Sequence, residues 1–153
     1  MTKKEYMDKS TRPYQLGQAA YHSDNDKVKK EGRRTWLKYA DLGAETATGG
    51  QVLAHTMAFK AEQPRIDTTT GWHYHTCDHQ FVYVTKGWLD LELEDGNTVR
   101  VHARDSIYIP GGYKHNEIGV ADDYECLEIV VPGQIGTVAC DAPEAWVAKH
   151  GQA

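Results

Sequence analysis

The chain has 153 residues, 25% of them charged, and a formal net charge of −5 at pH 7, which suits one domain with a core of its own. The acidic balance argues against a nucleic-acid binder, and the basic cluster Lys29-Lys30 with Arg33-Arg34 is too short to overturn it. No run approaches the roughly 20 apolar residues of a membrane span, and residues 1–10 hold no signal-peptide core, so a cytoplasmic protein is expected. Cys77, Cys126 and Cys140 are an odd number without a CxxC pair, which disfavours a disulfide framework or a cysteine zinc site.

Residues 1–34 are rich in Lys, Asp, Ser and Gln and poor in apolar positions. They read as an N-terminal arm that docks loosely or pairs with a partner subunit, with a short helix over 16–21 as the alternative. From Thr35 the pattern changes to short apolar or alternating runs separated by turn residues. Strands are predicted at 36–40, 51–60, 72–75, 80–85, 88–93, 98–101, 106–109 and 125–131, with Asp95-Gly96 as a hairpin turn. Helical spacing is found only at 143–150, as a short C-terminal helix. Many short strands with turns at close intervals predict one all-β sandwich or barrel domain over residues 35–153.

Three of the eight histidines fall in Trp72-His73-Tyr74-His75-Thr76-Cys77-Asp78-His79. Residues two apart on a strand share a face, so His73 and His75 present two imidazoles to one side, as a divalent metal requires. A surface histidine cluster is the other reading of this segment. Further on, Pro110-Gly111-Gly112-Tyr113-Lys114-His115 follows a predicted strand with a tight turn that aims another histidine back.

With these two segments the chain resembles the cupin superfamily. The first cupin motif is HxH, three or four residues, Glu, six residues, Gly; the second is Gly, five residues, PxGxxH. His73 and His75 match the paired histidines, Gly87 the closing glycine after Phe81-Val82-Tyr83-Val84-Thr85-Lys86, Pro110 and Gly112 the turn, and His115 the last histidine. Arg104 stands at the leading glycine of the second motif and Gly119 at its trailing asparagine; both departures read as harmless. The glutamate position falls on Gln80, or on His79 if the spacing is one shorter. Gln80 is preferred, because strand alternation puts it on the side of Val82 and Val84, whereas His79 shares a side with Phe81 and Tyr83.

The resemblance implies a single double-stranded β-helix (jelly-roll) barrel holding one divalent transition metal on His73, His75, Gln80 and His115. Iron is the first expectation, with Mn, Ni, Zn or Cu as alternatives. Three imidazoles and an amide oxygen are all neutral, so the site keeps the ion's full charge and favours an anionic ligand. On these grounds Gln80→Glu is expected to tighten metal binding. The activity implied first is non-haem iron dioxygenation of a small, anionic organic substrate. The alternatives are a redox-neutral isomerase or lyase acting on a sugar or carboxylate, and a non-catalytic metal-binding sensor. Cupin barrels often pair through sheet edges, so a homodimer is expected. His55 and Arg65 flank the first motif as candidate pocket residues. Glu128, a carboxylate in the apolar run Cys126-Leu127-Glu128-Ile129-Val130-Val131, is the candidate general base. The aromatics Trp72, Trp88, Tyr108 and Tyr113 read mainly as core or rim packing.

Overall fold

The structure, a computed structural model, describes residues 21, 28–30, 34–60 and 69–151. Arg65 and residues 16–20 of the candidate helix lie outside them.

The described residues form two antiparallel sheets. The six-stranded sheet runs β1 (Val28–Lys30), β2 (Leu37–Asp41), β3 (Leu53–Phe59), β10 (Glu125–Val131), β5 (His79–Lys86) and β8 (Ser106–Pro110). The five-stranded sheet runs β11 (Thr137–Ala139), β4 (His73–His75), β9 (His115–Val120), β6 (Trp88–Leu93) and β7 (Thr98–His102). Helix α1 (Ala44–Ala47) precedes β3, and α2 (Glu144–His150) falls where helical spacing predicted it. This is the all-β barrel expected. Strands interleaved between two sheets turn their inner faces to one another, and Val82, Val84, Leu89, Leu91, Val120, Cys126 and Val130 fill the interior.

Some boundaries and elements differ from the sequence expectations. Val28–Lys30, within the predicted arm, pairs in register with β2 of the same chain and forms the sheet's edge strand. Strands β9 and β11 were not anticipated. In β9 the consecutive residues His115 and Asn116 are both buried, which breaks the alternation that marks a strand. Strand β11 has only three residues.

Turn chemistry fixes the register. Gly96 has φ 82° between β6 and β7, where Leu93 N–H donates to Asn97 O at 2.8 Å. Gly111 passes so close to β4–β5 that an added Cβ would lie 1.8 Å from Cys77 O, and Gly112 N–H donates to His75 O at 2.9 Å. The PxG turn is thereby tied to the strand carrying His75. Arg104 is the one described non-glycine residue with positive φ, at 77°. The substitution at the motif's leading glycine is therefore a strained one, because a side chain costs energy in that region.

Candidate metal centre and pocket

Strand β4 carries His73 and His75 on its buried face, and His115 at the head of β9 pairs directly with His73 across the sheet. Ring centroids are 5.0 Å apart for His73–His75, 4.4 Å for His73–His115 and 5.1 Å for His75–His115. One ligand nitrogen from each ring can be chosen so that all lie within 4.8 Å of one another.

The tautomers follow from hydrogen bonds made by Nδ1. His73 Nδ1 lies 2.8 Å from Gly71 O, His115 Nδ1 3.0 Å from Tyr113 O, and His75 Nδ1 3.3 Å from Gly136 O and 2.9 Å from Thr137 Oγ1. A carbonyl oxygen only accepts, so each Nδ1 carries the proton, and in the neutral ring Nε2 keeps its lone pair. Rings pinned through one nitrogen with the other basic are the form in which histidine binds metals. The chemistry of the donor set thus fits a divalent transition metal.

Gln80 and His79 sit on opposite faces of β5. Burial alternates unbroken from His79 to Val84, with His79, Phe81 and Tyr83 exposed and Gln80, Val82 and Val84 buried. His79 Nδ1 lies 2.7 Å from Tyr108 Oη on the outside of the barrel. Gln80 is only 3% exposed; its Nε2 donates to Glu128 Oε1 at 2.6 Å, and its Oε1 has no hydrogen-bond partner among the described residues.

Glu128 turns inward and is 5% exposed. His55, directly opposite it on β3, places Nε2 2.5 Å from Glu128 Oε2. Burial alone would raise the Glu128 carboxyl. The hydrogen bond and charge of His55, the Gln80 amide and the more distant His75 together outweigh it and hold the group below the usual carboxylate range. The neutral ligand set expected from the sequence therefore has a carboxylate one hydrogen bond behind it.

His75, Gln80, His55 and Glu128 open onto a cavity of about 270 Å³, whose lining also includes Arg34 and Tyr39. Arg34 Nε is buried there and has no hydrogen-bond partner among the described residues. Tyr39 meets the His55 ring edge-on, with centroids 5.5 Å apart. None of the four aromatics named from the sequence lines this cavity. Trp72 packs on Trp146, Trp88 lies beneath the Arg100 guanidinium, and Tyr108 is 52% exposed. The aromatic lining comes instead from Trp36, Tyr39 and Tyr124. Sequence reading passed over the first two because β2 and the residue before it carry no metal motif.

The family model for the cupin domain matches residues 65–132, which span both histidine segments. Over these residues the chain is similar to the cupin domain. Solved structures share its fold at low identity. KdgF from Halomonas sp. is 15% identical with a TM-score of 0.60, the match covering 76% of this chain and 96% of that one. The polyketide cyclase RemF from Streptomyces resistomycificus is 18% identical with a TM-score of 0.61, covering 85% and 92%. The Streptomyces nucleoside dehydratase Pac13 is 13% identical with a TM-score of 0.53, covering 75% and 83%. No curated protein matches the sequence. Among the described residues no helix is long and apolar enough to cross a membrane.

Proposed function

We propose that this protein is a metal-dependent enzyme that moves a proton on a small, anionic organic substrate without net oxidation, in an isomerisation, cyclisation or elimination. The observation that carries this reading is the buried His55–Glu128 pair at 2.5 Å, on the wall of the cavity that His75 and Gln80 also line. A carboxylate hydrogen-bonded to an imidazole in a partly desolvated pocket is a general acid–base couple. The couple supplies the proton transfer that such a redox-neutral reaction needs. A polyketide cyclase and a nucleoside dehydratase built on the same fold are in keeping with this preference.

His73, His75 and His115 hold the ion, with Gln80 Oε1 as the fourth ligand. A divalent metal bound there would supply Lewis acidity, polarising a substrate oxygen. The His55–Glu128 couple accepts the proton from the adjacent carbon and returns it to the product. Arg34 binds the substrate's anionic group, and its buried, unpartnered Nε supports that role. Iron, nickel, zinc and copper suit imidazole-rich sites better than manganese, which prefers oxygen ligands. We further place the protein as a homodimer, supported by exposed Phe81, Tyr83 and Tyr108 on the outer face near the β8 edge.

The test is to incubate metal-loaded protein with a panel of small carboxylates in deuterated water, following carbon-bound hydrogen by NMR and dioxygen with an electrode. The proposal expects hydrogen exchange or product without dioxygen consumption. Stoichiometric dioxygen uptake would instead establish the dioxygenase reading, and tight binding without any exchange the sensor reading.

A further inference from the structure

Glu in the cupin motif has become Gln at position 80, and the structure shows what stands behind that amide. Glu128 is an acceptor only, so the amide end facing it must be the nitrogen, and the 2.6 Å contact from Nε2 has that sense. The other Glu128 oxygen is engaged by His55 at 2.5 Å, so the carboxylate is fixed from both sides and cannot rotate away. With Nε2 committed, the amide oxygen is turned to the remaining side, where it has no hydrogen-bond partner among the described residues.

We infer that Glu128 is a positioning residue for Gln80: by accepting Nε2–H it selects the amide rotamer that presents Oε1 to the metal centre. The pair Gln80–Glu128 then does the work of a single motif glutamate, with the negative charge set back by one hydrogen bond. An amide lacking this partner would present NH₂, which is no ligand, in about half of its rotamers. Outer partners of this kind typically set metal affinity by 10- to 100-fold. The inference rests on the reading of Gln80 as a ligand.

It also reverses an expectation drawn from sequence alone. Gln80→Glu was expected to tighten metal binding by restoring the motif carboxylate. With Glu128 in place, the variant sets two acceptors face to face with no hydrogen between them. Tightening should appear only when the pair is exchanged as a unit, in Gln80→Glu/Glu128→Gln, where the new amide at 128 donates to the new carboxylate at 80.

The experiment measures zinc affinity of the full chain by competition with a chromophoric chelator, alongside thermal unfolding of each variant. Gln80→Ala and Glu128→Gln should each weaken zinc by about tenfold or more. Gln80→Glu alone should bind no tighter than wild type, and the double variant should recover wild-type affinity or exceed it. If Gln80→Glu alone tightens zinc as much as the double variant does, Glu128 does not orient the amide. Wild-type affinity in Gln80→Ala would overturn the ligand reading itself and this inference with it. Should Glu128→Gln fail to fold, the comparison of Gln80→Glu with the double variant still decides the matter.

Discussion

Glu128 and His55 are direct cross-strand neighbours, 73 residues apart in sequence, and their side chains meet at 2.5 Å inside the barrel. That pairing places the one carboxylate of an apolar strand on the wall of the cavity. Removing either partner leaves the other buried without its main hydrogen bond, which costs about 1–3 kcal/mol for a polar group. We expect His55→Ala to lose that much stability while keeping its metal, and to abolish proton exchange on any bound carboxylate. Exchange at the wild-type rate would remove His55 from the acid–base couple.

His79 lies outside the barrel, hydrogen-bonded to the exposed Tyr108. His79→Ala should therefore keep its full metal content and change stability by no more than about 0.5–1 kcal/mol. Metal analysis of this variant is decisive, since loss of the ion would mean that β5 is read one residue out of register.

Arg104 holds φ 77°, which costs an L-residue about 1–2 kcal/mol, whereas glycine adopts it freely at some entropic cost in the unfolded chain. The two effects leave a net gain, so Arg104→Gly should raise stability by about 0.5–1 kcal/mol in urea unfolding. A loss of stability would show that the exposed arginine side chain contributes more than its strain costs.

Cys126 is buried beside Tyr124, and burial, with smaller contributions from Glu128 and Glu117, pushes its thiol up from 9.0 to about 12. The folded value lies above the unfolded one. The stabilising contribution is thus complete below pH 9 and is lost as pH rises from about 9 toward 12. Wild-type protein should lose stability between pH 7 and pH 10.5, and Cys126→Ala, though weaker at pH 7, should lose less over that interval. Equal slopes in the two proteins would assign the alkaline loss to other groups, Tyr124 first.

The parts of the site that follow strand alternation were legible in the sequence: His73 with His75 on one face, Gln80 with Val82 and Val84 on another, and the turn that delivers His115. What escaped depends on which strands become neighbours. Glu128 faces His55 and Gln80 only because β10 lies between β3 and β5, an order that no local pattern encodes. The pocket's β2 wall was hidden for the same reason. Strand β9 was missed because its first two residues, His115 and Asn116, are polar and both buried, which breaks the alternation. At Arg104 the motif's missing glycine read as harmless, since backbone strain leaves no mark in the sequence beyond the residue it disfavours.

The central claim is that His73, His75 and His115 form one metal site, and elemental analysis of protein purified without a tag or chelator tests it most directly. About one divalent transition metal per chain is predicted for the wild type, falling to a small fraction in His73→Ala, His75→Ala and His115→Ala alike. Full occupancy in His115→Ala, or no bound metal in wild-type protein after reconstitution with zinc and with iron(II), would contradict it.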